Sequence, residues 1–267
     1  MSWPGYGPEA RSRKARSGGP IAALGRRLAD WVWPPACPLS GAAVDMAGRI
    51  APDPWRDLRF LDAPWCAHCG RPFPYDAFAS GDGVCGPCAA RPPAWDAARA
   101  PLAYDEASKG LVLAFKHGGR TEMLPQFARW MAASGRELLP ESDVILPVPL
   151  HWRRRLSRRF NQSALLGRAL AQEAGLAFRA DALVRVKATP SQAGQTAKGR
   201  WRNMRAAFRV PDKFSVWLAG RRVILVDDVL TTGATVTACV KALRRARAER
   251  VYVMTLCRVV RTEDPTK

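Results

Sequence analysis

Val223-Ile-Leu-Val-Asp-Asp-Val-Leu-Thr-Thr-Gly-Ala-Thr235 runs four apolar residues into two adjacent carboxylates, then into a turn of small hydroxylic residues. Apolar positions at Val236, Val240 and Leu243 follow at helical spacing. A continuous apolar run fits a strand buried on both faces, hence an inner strand of a parallel sheet. The turn therefore lies at the carboxyl end of a central strand, where open α/β sheets bind ligands.

The turn is suited to phosphate. Thr231, Thr232, Gly233, Ala234 and Thr235 place successive backbone N–H groups and three hydroxyls at a helix amino terminus. Unpaired donors and the helix dipole attract an anion there. Gly233 allows close backbone approach to that anion. Asp227 and Asp228 would repel a bare phosphate, but carboxylates accept hydrogen bonds from a diol. The two demands meet in one ligand, a phosphorylated ribose. The sequence contains neither Gly-x-x-x-x-Gly-Lys nor Gly-x-Gly-x-x-Gly, which disfavours nucleoside triphosphate and dinucleotide loops.

This segment resembles the phosphoribosyl pyrophosphate (PRPP) signature of type I phosphoribosyltransferases. The resemblance implies ribose contacts from Asp227 and Asp228 and 5-phosphate contacts from Thr231, Thr232, Gly233, Ala234 and Thr235. Further motifs narrow the family. Asp143-Val-Ile-Leu-Pro-Val-Pro-Leu150 is a second apolar strand, followed by His151-Trp-Arg-Arg-Arg-Leu-Ser-Arg-Arg-Phe-Asn-Gln-Ser163. Thr189-Pro-Ser-Gln192 then leads through a basic loop into Arg200-Trp-Arg-Asn-Met-Arg-Ala-Ala-Phe208. With a cysteine-rich segment in front, this order resembles the ComF (competence protein F) family, whose members are implicated in bacterial DNA uptake.

The resemblance implies magnesium with PRPP, and it implies that Arg153, Arg154, Arg155, Lys198, Arg200 and Arg202 belong to loops that handle pyrophosphate. It also implies phosphoribosyl transfer as the reaction if the protein turns over. The 6-oxopurine enzymes carry an Asp where this chain has Thr231, and a threonine cannot serve as that ionisable group. Hypoxanthine–guanine salvage is therefore disfavoured. Two alternatives stay open: a non-catalytic protein of the same fold that binds single-stranded DNA or a helicase, and base salvage unrelated to DNA.

Cysteine spacing identifies a second module. Cys66-Ala-His-Cys69 and Cys85-Gly-Pro-Cys88 are two C-x-x-C pairs separated by 15 residues, the pattern of a structural zinc ribbon. Such a short Pro- and Gly-rich segment needs metal for its folding energy. Cys37-Pro-Leu-Ser40 lacks a second thiol, and no C-x-x-C falls within residues 41–65, so one zinc site is expected. Cys239 and Cys257 read as small buried hydrophobes.

Across its 267 residues the chain carries a net charge of +19, enough to support contact with a polyanion. No apolar stretch approaches a membrane span, and no secretory signal is visible, so a cytoplasmic protein is expected. The organisation expected is a disordered basic tail over residues 1–20, a zinc-ribbon module over 21–93 opening with a short helix, and a phosphoribosyltransferase-like domain over 94–262. Within that domain strands are expected at 98–104, 143–148, 183–186, 207–210, 222–227 and 250–259. Helices are expected near 106–117, 122–138, 161–174 and 233–246. This alternation predicts an α/β fold, a parallel-dominated sheet of the type I phosphoribosyltransferase kind behind a small zinc ribbon.

Overall fold

The computed structural model describes residues 34–73, 83–117, 121–150, 160–186 and 207–260. The tail, the helix expected over 21–33, and the basic residues Arg153, Arg154, Arg155, Lys198, Arg200 and Arg202 lie outside them.

A six-stranded sheet organises the chain. It contains β1 (Ala97–Arg99), β2 (Leu102–Ala103), β3 (Val144–Pro147), β4 (Ala177–Phe178), β7 (Arg222–Leu230) and β8 (Arg250–Arg258). The order is β1-β8-β7-β3-β4, with β2 continuing the β1 edge alongside β8, and every pairing is parallel. The strand that carries the Asp pair is thus the middle of the sheet, as its apolar run requires.

Alternation along β7 divides its side chains between two cores. Val223 and Leu225 pack with Val236, Val240 and Leu243 of the helix after the turn, α7 (Ala234–Arg245). Ile224 and Val226 pack with Phe115 of α3 (Glu106–His117), Phe127 and Met131 of α4 (Leu124–Ser134), and Leu166 and Leu170 of α5 (Gln162–Ala174). Helices therefore cover both faces, the arrangement that lets a parallel strand be apolar throughout.

Several expectations are corrected. The strand expected over 98–104 is two short pieces, because Pro101 has no N–H to continue the ladder. The helix expected over 122–138 is a 3₁₀ turn at Thr121–Met123 followed by α4, which stops at Gly135. The strands expected at 183–186 and 207–210 are β5 (Val184–Arg185) and β6 (Phe208–Arg209), which pair antiparallel with each other outside the main sheet. Strand β7 runs three residues past its expected end, so Asp228 is a strand residue along with Asp227. Strand β4 and helix α6 (Asp212–Leu218) are additions. Cys239 and Cys257 are fully buried, and burial pushes the Cys257 thiol up to about 12.

The cysteine module covers the open β1–β2 edge, which would otherwise present unpaired backbone groups. Phe60 bridges antiparallel to Leu102, and the Leu61 N–H donates to the Pro101 carbonyl at 2.8 Å. Arg99, 8% exposed, ties the two parts together. Its Nε donates to Glu137 at 2.6 Å, its Nη1 donates to the Ala67 carbonyl, and its guanidinium lies 4.9 Å from the Trp65 ring centre. The described helices include none long and apolar enough to cross a membrane.

Candidate functional site

The carboxyl half of β7 brings the Asp pair to the carboxyl edge of the sheet. Asp227 accepts a hydrogen bond from Ser163 Oγ at 2.8 Å and from the Asp228 N–H at 2.9 Å. Burial, reinforced by the neighbouring Asp228 carboxylate, pushes Asp227 up to about 7, while the Ser163 and Asp228 hydrogen bonds and Lys116 pull the other way. Asp228 forms a salt bridge with Lys116, Nζ to Oδ2 at 2.8 Å, with side chains 20% and 17% exposed. One aspartate is therefore held by a hydroxyl and the other by an ammonium.

Three consecutive residues build this support. Asn161 caps α5 by accepting the Ser163 N–H at 3.1 Å, and its Nδ2 donates to the Val148 carbonyl just beyond β3. Gln162, 2% exposed, donates to the Lys116 carbonyl at 3.4 Å and so fixes the end of α3. Ser163 then points its hydroxyl at Asp227. Asn161, Gln162 and Ser163 close one of the motifs that mark the family, but their sequence alone assigns them no role. The only local signal is a polar triplet opening an apolar helix. Lys116 carries no such signal, since its partner lies 112 residues away.

The turn follows directly. Gly233 has φ +71°, the left-handed region that favours glycine, and is the N-cap of α7 without any side-chain cap hydrogen bond. The N-cap residue itself thus offers no side chain to the first-turn donors of α7. Thr231 and Thr232 are exposed, and Ala234 and Thr235 are half-buried. The expected residues Asp227, Asp228 and 231–235 therefore share one edge, with carboxylates on the strand and uncapped donors beyond it.

The four expected cysteines also come together. Cys66, Cys69, Cys85 and Cys88 place their sulfurs within 4.8 Å of one another, the group among the described residues with metal-binding geometry. Burial opposes ionisation of Cys66, but backbone N–H groups of Cys85 and Cys69 bring its thiol down to about 6. Burial and the nearby Cys69 sulfur push Cys85 and Cys88 upward. A divalent ion resolves this conflict by favouring thiolates at all four positions. Four sulfur donors in a closed shell fit structural zinc.

The segment around Cys37 repeats the backbone of that site without its full set of thiols. The Cys66 N–H donates to the Arg71 carbonyl at 2.8 Å and the Gly70 N–H to the Cys66 carbonyl at 2.8 Å. Likewise the Cys37 N–H donates to the Ala42 carbonyl at 2.7 Å and the Gly41 N–H to the Cys37 carbonyl at 2.9 Å. Gly41 and Gly70 have φ of +73° and +67°. Cys66 Sγ accepts from the Cys85 N–H at 3.3 Å, where Cys85 is the N-cap of α2 (Gly86–Ala90). Cys37 Sγ accepts from the Ala51 N–H at 3.3 Å, where Ala51 is the N-cap of α1 (Pro52–Arg56). Ser40, Ala51 and Pro54 thus stand where Cys69, Cys85 and Cys88 stand in the metal half.

Comparison with known proteins agrees with both modules. A double zinc ribbon domain matches residues 28–89, and a phosphoribosyl transferase domain matches residues 163–267. The chain is 34% identical over 200 residues to the DNA utilization protein YhgH of Salmonella typhi, covering 73% of this chain and 84% of that protein. It is 32% identical over 204 residues to the protein of the same name from Escherichia coli (strain K12), covering 74% and 86%. Competence protein F of Haemophilus influenzae is 33% identical over 200 residues, covering 73% and 85%. With a parallel sheet, a carboxylate-bearing central strand, a four-cysteine ribbon and these relatives, the chain belongs to the ComF (competence protein F) family.

Proposed function

We propose that the protein binds PRPP with magnesium at the carboxyl edge of its sheet and serves DNA uptake through that domain. The observation that carries the reading is the Asp227–Asp228 pair on the central strand, followed at once by the uncapped amino terminus of α7. A ribose diol offers donors that suit the carboxylates, while a 5-phosphate suits the backbone N–H groups and hydroxyls of residues 231–235. Magnesium seeks hard oxygen donors and commonly enters with substrate phosphates, so Asp227 and Asp228 are the groups available to it and its charge would offset that of the pyrophosphate. Arg153, Arg154, Arg155, Lys198, Arg200 and Arg202 are assigned to the pyrophosphate. With an acceptor present, these groups suit displacement of pyrophosphate from C1 of the ribose.

The names of the relatives support a role with DNA, and the +19 charge supports direct contact with single-stranded DNA or with a helicase that handles it. A cytoplasmic location fits a ribbon of four metal-binding thiolates, which a reducing compartment keeps from pairing as disulfides. The division at residues 91–93 assigns residues 21–93 to the ribbon and 94–262 to the ligand domain.

Isothermal titration with Mg-PRPP tests the assignment. The variant carrying Asp227→Asn and Asp228→Asn should keep its zinc and helical signal but bind weakly, each lost charge-assisted bond costing about 1.5–3 kcal/mol. Undiminished binding would refute it.

A further inference from the structure

We propose that Trp95 is a positioning residue that couples the zinc ribbon to the phosphate turn, so that metal in one module sets ligand affinity in the other. The ligand half of this proposal rests on the PRPP reading of residues 231–235. The mechanical half rests on the geometry of one side chain.

The Trp95 indole is 9% exposed and touches both sites. Its Nε1–H donates to the His68 carbonyl at 3.1 Å, and His68 lies between the ligand cysteines Cys66 and Cys69. The far edge of the same ring backs Gly233. A Cβ built on Gly233 would lie 2.6 Å from Trp95 Cη2 and 3.0 Å from Cζ3, inside normal contact. Gly233 is therefore required twice, by its φ of +71° and by the indole that fills the space beside it.

The connection is held at its base. His68 Nδ1 is 3.2 Å from the Asp96 carbonyl, and the Asp96 carboxylate accepts from the Val251 N–H at 2.7 Å and pairs with Arg244 of α7. The residue after Trp95 is thus fixed to the sheet and to the far end of the helix that the phosphate turn begins. With zinc bound, the 66–69 loop is rigid and its His68 carbonyl holds the indole in one orientation. With zinc released, that carbonyl is free to move and the ring loses its polar anchor. The turn then samples arrangements that do not present its N–H groups together, and the ligand must supply the ordering free energy.

The experiment uses the full-length protein, wild type and Trp95→Phe, each zinc-loaded and after zinc release by a thiol-directed mercurial with chelator. Phenylalanine removes the N–H and does not extend to Gly233. Amide hydrogen exchange over residues 231–237 and titration with Mg-PRPP are both read, with zinc content by elemental analysis. In the wild type, zinc release should speed exchange in the turn and weaken Mg-PRPP about 10-fold. Zinc-loaded Trp95→Phe should keep one zinc, show a fast-exchanging turn, and change less than about 2-fold on zinc release, because the coupling element is gone. Gly233→Ala should weaken binding strongly in the wild type and less beside Trp95→Phe, where the clash with the indole is gone and only the strain of the positive φ remains.

Unchanged exchange in the wild-type turn on zinc release would overturn the proposal, as would full zinc sensitivity in Trp95→Phe. Where circular dichroism shows global unfolding of the zinc-free protein, the zinc-loaded Trp95→Phe variant decides alone: wild-type exchange and wild-type affinity there would overturn it. Failure of the PRPP reading is separate, since zinc-loaded wild type would then bind no Mg-PRPP while the exchange arms still report the coupling.

Discussion

Lys116 Nζ lies 2.8 Å from Asp228 Oδ2, joining the end of helix α3 to the carboxylate-bearing strand β7. Gln162 holds the same lysine by its backbone carbonyl, so the ammonium is delivered from a fixed helix end. Its charge offsets the mutual repulsion of the carboxylate pair and the cost of burying it. Lys116→Met should therefore destabilise the fold by about 1–2 kcal/mol, a value discounted because the pair is partly solvated. It should also weaken Mg-PRPP binding more at pH 6.5 than at pH 8.5, because Asp227 then holds its proton to higher pH. Calorimetric titration at the two pH values checks this; equal losses at both would contradict it.

Asp227 carries a pH dependence with a defined sign. Burial and the Asp228 charge raise it from 3.8 to about 7 in the folded protein. Between those values the folded state keeps a proton that the unfolded chain has released. Its contribution to stability falls as pH rises through that window and levels off above it. Urea unfolding at pH 5 and pH 7.5 should show this slope in the wild type and lose it in Asp227→Asn. Ligand affinity should run oppositely, rising through about pH 7 as Asp227 becomes a full acceptor. Ser163→Ala removes a bond that favours the carboxylate and should move that midpoint up; Asp228→Asn removes a like charge and should move it down.

The residues that define the site differ in how visible they are along the chain. The Asp pair, the turn and both C-x-x-C pairs are local patterns whose chemistry depends on spacing alone. Lys116, Ser163 and Trp95 act through partners 112, 64 and 138 residues distant, and no periodicity carries such contacts. The same holds for the Cys37 half-ribbon. Its hydrogen bonds are mostly backbone bonds, indifferent to side chain, so the fold survives where the cysteine signature is lost. The break within 98–104 has a different cause: the pattern there is largely apolar throughout, and one missing N–H at Pro101 interrupts the ladder.

The half-ribbon predicts metal stoichiometry. With Ser40, Ala51 and Pro54 in place of thiols, the Cys37 segment offers one sulfur and should hold no ion. Elemental analysis should return one zinc per chain, unchanged in Cys37→Ser and lost with Cys66→Ser. Because the backbone already matches, the triple variant Ser40→Cys, Ala51→Cys and Pro54→Cys should take up a second zinc. A wild-type stoichiometry of two would overturn the correspondence.

Direct contact with DNA gives the final prediction. If the net charge of +19 serves nucleic acid, binding to single-stranded DNA should be sequence-tolerant and fall steeply with salt, because released counterions drive it. Arg153, Arg154 and Arg155 stand between a core strand and the helix that carries Ser163, and they are also assigned to pyrophosphate. Neutralising all three should lower both the affinity for a single-stranded oligonucleotide and the slope of its logarithm against salt, by roughly 0.7 for each phosphate the protein no longer neutralises. If one surface serves both ligands, Mg-PRPP should displace the oligonucleotide in a fluorescence-anisotropy competition. Binding that ignores saturating Mg-PRPP would move the DNA site to the basic residues within 11–16 or to the ribbon. No binding even at low salt would leave the protein acting on DNA only through a partner.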